Sequence, residues 1–117
     1  MEFFIRQKSN TPILIMEIVN DGRTRSNIEF NDVLDNATIR FSMKRVSDGK
    51  QVIFMNNAYI TEKLQQNPDA PTEYYIFYKW TDRDTRHKGR YVGEFSVVTE
   101  LGELIAPIRE QLFINII

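Results

Sequence analysis

From Ala37 to Val46 (ATIRFSMKRV) apolar and polar residues alternate, with Ile39, Phe41 and Met43 set against Arg40, Ser42 and Lys44. A period of two places these sets on opposite faces of a half-buried strand. Ser47-Asp48-Gly49 then predicts a hairpin, with Gln51 to Ile60 returning antiparallel. Ile13 to Val19 is apolar at nearly every position, which predicts a strand covered on both faces, ended by the turn Asn20-Asp21-Gly22. Phe3 to Arg6 reads as a short first strand, broken by Ser9-Asn10. Asn67-Pro68-Asp69-Ala70-Pro71 is a loop, and Glu73 to Trp80 (EYYIFYKW) is the most aromatic strand. Arg90 to Thr99 and Gln111 to Ile117 follow, with a turn at Leu101-Gly102 and an edge or loop at Pro107. Asn31 to Asn36 is the one helical candidate. The pattern predicts a single all-β domain over residues 1–117. Its expected form is an antiparallel immunoglobulin-like β-sandwich of about seven to eight strands with one short helical turn. A small β-barrel would use much the same pattern.

Composition narrows the function classes. The chain has 117 residues, enough for one core without staples. Fifteen basic residues against sixteen acidic ones give a net charge of −1, so there is no global field to draw in nucleic acid or an anionic membrane. With no cysteine, disulfides, thiolate metal sites and cysteine nucleophiles are excluded. The opening residues MEFFIRQKSN carry Glu2 where a secretory signal needs positive charge, and their apolar run ends at Arg6. Pro12 to Val19 is interrupted by Glu17 and is far shorter than the roughly 20 residues that span a bilayer. The expectation is a soluble protein made in a cytoplasm, with no nucleic-acid or membrane partner and no cofactor.

Candidate chemistry concentrates in Lys79 to Phe95 (KWTDRDTRHKGRYVGEF), which holds the only histidine. Asp82 and Asp84 as an acid–base pair would need one raised pKa, but Arg83 and Arg86 favour the ionised form of both. His87 has no serine in a nucleophile-elbow context to activate. Asp82-x-Asp84 begins like a calcium loop, yet Arg86 holds the fifth position and Gly93 the closing one. Gly89 and Gly93 are too few for a phosphate cradle. Lys79, Arg83, Arg86, Lys88 and Arg90 near Trp80 and Tyr91 resemble a single-strand binding patch, but these aromatics fall on strand positions that suit a core. A structural corner accounts for more residues at once. Thr81 or Asp82 caps a helical turn through Thr85, Gly89 releases the backbone, and Tyr91 fills the core edge with its hydroxyl on the preceding loop.

The run Tyr78-x-Trp80-Thr81-x-x-Asp84-Thr85, then Gly89-x-Tyr91-x-x-Glu94-Phe95, Gly102 and Pro107, resembles a known domain type. It is similar to the immunoglobulin-like domain at the N-terminus of phage baseplate upper proteins, a module also found in tail fibres and other virion accessory proteins. Asp32-x-Leu34-x-x-Ala37-Thr38-x-x-Phe41-x-Met43 and the strand Pro12 to Val19 extend the resemblance over nearly the whole chain. Two features depart from it. Leu101-Gly102 stands where Asp-Gly is usual. The family domain normally heads a longer fibre or receptor-binding protein, so a chain complete at Ile117 is expected to lack a distal receptor-binding domain. The resemblance implies a non-enzymatic virion protein, assembled in the host cytoplasm, that docks on tail, baseplate, fibre or capsid subunits. The structural corner is then Trp80, Asp84, Thr85, Gly89, Tyr91 and Phe95.

Apolar residues exceed what one sandwich can bury. Leu112, Ile114 and Ile116 share a face and should enter the core, while Phe113 and Ile117 point outward. Phe3, Phe4, Leu14, Met16, Phe113 and Ile117 are the expected interface with another subunit, as a homo- or hetero-oligomer. Extra cover from the Asn20–Asn36 loop is the structural alternative. A second functional class is a module binding carbohydrate or another host-surface ligand through Tyr74, Tyr75, Tyr78 and the charged loop.

Overall fold

A computed structural model describes residues 1–18, 37–62, 74–100, 102–107 and 110–117. Nine strands lie among them, and no helix. They are β1 (Glu2–Ile5), β2 (Leu14–Ile18), β3 (Thr38–Arg45), β4 (Gln51–Asn57), β5 (Tyr59–Glu62), β6 (Tyr74–Tyr78), β7 (Gly89–Thr99), β8 (Gly102–Ala106) and β9 (Leu112–Ile116). One sheet runs β1-β9-β7-β3-β4, with β8 also on β7; the other runs β2-β6-β5. The two sheets pack as a sandwich rather than closing into a barrel.

β7 organises the larger sheet because it is long enough to take two partners on one side. Gly89 to Gly93 pair with β9 and Phe95 to Thr99 with β8, while β3 occupies the other side. Alternation along β7 turns Tyr91, Gly93, Phe95 and Val97 inward, where all four are buried. β3 contributes Ile39, Phe41 and Met43 to the same layer, and β9 contributes Leu112, Ile114 and Ile116. Opposite them the small sheet presents Leu14, Met16, Tyr74, Ile76 and Tyr78. Phe41 stands at the centre, with ring centroids 4.6 Å from Tyr78, 5.0 Å from Phe95 and 5.7 Å from Trp80.

Several expectations need correction. The sheet is not wholly antiparallel, since β1 runs parallel to β9, Glu2 beside Phe113 and Ile5 beside Ile116. These strands come from opposite ends of the chain, so no hairpin dictates their direction. The expected single return strand Gln51 to Ile60 divides at Ala58, and its halves lie in different sheets. Ala58 N–H still donates to Ile39 C=O (2.9 Å) while the chain crosses over. β8 was not anticipated, because GELIA lacks a clean alternation. The expected helical turn at Asn31–Asn36, the turn at Asn20–Gly22, the loop Asn67–Pro71 and Leu101 lie outside the described residues.

Candidate functional site

The charged stretch folds as a connection from β6 to β7 at one end of the sandwich. Thr81 opens a tight turn in which Asp84 N–H donates to Thr81 C=O (3.0 Å) and lies 3.3 Å from Thr81 Oγ1. The Asp84 carboxylate answers by accepting Thr81 N–H (2.9 Å). This reciprocal exchange is a capping box, with Thr81 as the expected cap of the turn through Thr85; the turn is not continued into a helix. Asp84 also accepts the Tyr78 hydroxyl (2.7 Å), and Asn56 Nδ2 donates to that same hydroxyl oxygen (3.1 Å). Burial pushes the Tyr78 phenol well above its ordinary range, and the Asp84 bond adds to this, so Tyr78 stays a neutral donor.

Tyr91 closes the connection. Its ring is buried and its hydroxyl donates to His87 C=O (2.9 Å), four residues back, as in a tyrosine corner. Gly89 between them has φ +150°, a conformation side chains rarely adopt. Thr85, fully buried, donates to Ser9 C=O (2.8 Å), while Lys8 N–H donates to Thr85 C=O (2.8 Å) and Gln7 Nε2 to Arg86 C=O (2.7 Å). The segment after β1 is thereby fastened to the corner. Ser9 reads in the sequence only as a chain break, so its role as an acceptor had no local signal. Trp80 is buried on Phe3, with stacked centroids 5.9 Å apart. Phe95 lies fully buried further along β7, its ring centroid 5.0 Å from that of Phe41.

The residues with chemical potential are dispersed. His87, Asp82, Arg83, Arg86 and Lys88 are all exposed. Among the described residues no group of three His, Asp or Glu side chains is placed to hold a metal ion. The connection positions a corner whose polar atoms are taken up by the chain itself. Tyr91→Phe is expected to lower stability by about 1 kcal/mol, through loss of one hydrogen bond. Asp84→Ala should cost about 1–3 kcal/mol, because it leaves Tyr78 and the Thr81 N–H without their acceptor. Urea unfolding of both variants checks this, and two unchanged midpoints would refute the account of the corner.

The six expected interface residues separate into three groups. Leu14 and Met16 are core residues, because the small sheet needs its inward positions to cover Phe41; the surplus on that strand is Ile13 and Ile15 instead. Phe3 is half-buried against Trp80, and Phe113 is half-buried with the Arg90 guanidinium 4.0 Å above its ring. Phe4 and Ile117 are outside, 57% and 58% exposed. Phe4 shares the outer face of the larger sheet with Glu2, Phe113 and Asn115. There Arg90 donates to Glu2 Oε1 (2.7 Å) and Asn115 Nδ2 to Glu2 Oε2 (2.9 Å). Of the three tyrosines expected to contact a ligand, Tyr74 and Tyr78 are buried and Tyr75 is half-buried. Sequence reasoning missed further exposed apolar residues on the larger sheet, among them Val98 and Ile105 at the opposite end of β7 and Val52 and Phe54 on β4. The alternation of β7 would have placed Val98, but nothing local marks Ile105.

No protein-family model matches the chain, no curated protein matches it in sequence, and no solved structure matches it.

Proposed function

We propose that this protein is a non-enzymatic assembly module, an immunoglobulin-like sandwich that docks on other subunits of a phage particle. The observation that carries the reading is the use made of the chemically capable stretch. Asp84, Thr85 and Tyr91 spend their polar atoms on Thr81, Ser9, Tyr78 and His87 of the chain itself. The surface left over is apolar at Phe4 and Ile117, bordered by charged side chains, as a docking patch requires. The phage assignment rests on the resemblance carried by Trp80, Asp84, Thr85, Gly89, Tyr91 and Phe95. Glycan binding has less support, since Tyr74 and Tyr78 are buried and the Tyr59 ring is engaged by Phe77 (5.3 Å) and Lys79 (5.1 Å).

Mass spectrometry of purified particles, with cross-linking to identify neighbours, tests the reading. The expected result is stoichiometric incorporation that falls at least about tenfold in a Phe4→Asp, Ile117→Asp double variant whose melting temperature is unchanged. Absence of the wild-type chain from particles would refute it.

A further inference from the structure

Among the described residues, charge is separated along the long axis of β7. Its Gly89 end adjoins three connections that bring together residues distant in sequence. Gln7 and Lys8 bond to Arg86 and Thr85, and Val46 N–H donates to Arg90 C=O (3.0 Å). Arg6 and Lys8 stand on the first connection, and Lys44, Arg45 and Lys50 on or beside the second. The third holds Lys79, Arg83, Arg86 and Lys88 and leads into Arg90. Only two of these cations have an ion pair among the described residues, Arg45 with Asp48 and Arg90 with Glu2. Set against Glu2, Asp48, Asp82 and Asp84, these ten leave this end about six charges positive. A chain of net charge −1 then carries about seven negative charges in the rest of its sequence.

The two ends of the larger sheet's outer face are complementary. At the basic end Phe4 and Ile117 are exposed beside Arg6, Arg90 and Lys44. At the other end Val98 and Ile105, each 41% exposed, lie among Glu100 and Glu103. Ile105 sits beside Ser96 and Glu103 beside Val98, so the second patch alternates apolar and acidic positions on adjacent strands. Arg40, across β7 from Ile105, is the basic exception, and its guanidinium donates to Asn57 (2.7 Å). Arg90 and Val98 lie eight residues apart on one strand, roughly 26 Å, so the patches cannot meet within one molecule.

We propose that the partner of this face is a second copy of the chain, laid antiparallel so that each basic end covers the other's acidic end. Both patches are on one face, so a two-fold axis near the middle of β7 makes both contacts at once and closes the assembly as a dimer. The two exposed Glu94 side chains then face each other at the axis, and the patch contacts must outweigh that repulsion. The parallel arrangement would set like charges together, which is disfavoured by several kcal/mol. The inference rests on the assembly reading by naming its first partner, and particle composition tests that reading separately.

Sedimentation velocity on the full chain decides it. The wild type should sediment as a dimer in about 50 mM sodium chloride and dissociate in about 500 mM, where screening shortens to roughly 4–5 Å. An Arg6→Glu, Lys44→Glu variant and a Glu100→Lys, Glu103→Lys variant should each self-associate at least about tenfold more weakly. Their equimolar mixture should recover the dimer, because each reversed end then meets its complement. All four side chains are exposed and without an ion pair among the described residues, and Glu103 gives up only its bond from Ser96, so both variants should remain folded. A wild-type monomer in low salt overturns the proposal. So does a mixture of folded variants that stays monomeric, or a ladder of oligomers beyond two. If a variant does not fold, the salt series on the wild type still decides. Particles that contain the chain although it is monomeric in low salt would refute self-pairing and leave the assembly reading intact.

Discussion

Phe41→Ala is expected to lower the free energy of unfolding by about 3–5 kcal/mol. The residue is fully buried and is the one side chain whose ring meets Tyr78, Trp80 and Phe95 together. Those neighbours belong to the small sheet, the connection and β7, so removing the ring opens a cavity that no single element can close by shifting. Aromatic pairs contribute about 0.5–1.5 kcal/mol beyond area, and three such contacts would be lost at once. With typical domain stabilities of about 5–15 kcal/mol, the variant should retain its fold but melt at a clearly lower temperature. Phe41→Leu, which keeps apolar volume but loses the ring contacts, should lie between. Guanidinium unfolding read by Trp80 fluorescence measures both. A loss under about 1 kcal/mol for the alanine variant would mean that the sheets do not depend on this contact.

How much of this architecture can be read from the residues follows from the range of the forces involved. The alternation of Ile39, Phe41 and Met43 is a local signal, and it places the three side chains correctly because one sheet face is buried. Leu112, Ile114 and Ile116 are legible for the same reason. The corner is legible because its turn, glycine and tyrosine all lie within a dozen residues. What fails is anything fixed by a distant partner. Leu14 and Met16 belong to a run apolar on both faces, so periodicity cannot say which set faces the core. Ala58 carries no glycine or proline to announce a change of sheet. The parallel pairing of β1 with β9 joins residues more than a hundred positions apart, and no local pattern encodes such a contact.

Interaction surface shows the same division. Phe113 and Ile117 alternate with core residues and read equally as outward, yet Phe113 is half-covered by Arg90, a neighbour supplied by β7. The charge balance of −1 concealed a larger fact. Net charge is a sum over the chain and is blind to position, whereas the topology brings Arg6, Lys50 and Arg86 to one end. A near-neutral composition argues against a global field, but it does not argue against a strongly polarised one.

Gly93 gives the second large effect, and it tests the packing of the sheets from the opposite direction. The residue is buried on β7 between β3 and β9, opposite Met43 and Leu112, with no unusual φ to explain the glycine. Space explains it. A Cβ at this position would stand 2.6 Å from Ile114 Cδ1 and 2.9 Å from Phe41 Cζ, closer than real contacts allow. Gly93→Ala is therefore expected to destabilise by about 1–3 kcal/mol through overpacking, and Gly93→Val by more. The two obstructions differ in kind: the Ile114 methyl is the end of a rotatable chain, while the Phe41 ring is held by Tyr78, Trp80 and Phe95. Ile114→Val removes the methyl and alone should cost about 0.5–1.5 kcal/mol. In the double variant the new Cβ occupies part of the space that methyl leaves, so the combined loss should fall short of the sum by about 1 kcal/mol. Strict additivity would mean that the backbone of β7 moves away instead of the side chains yielding. A residual loss that persists in the double variant locates the remaining clash at Phe41, the ring that joins the two sheets.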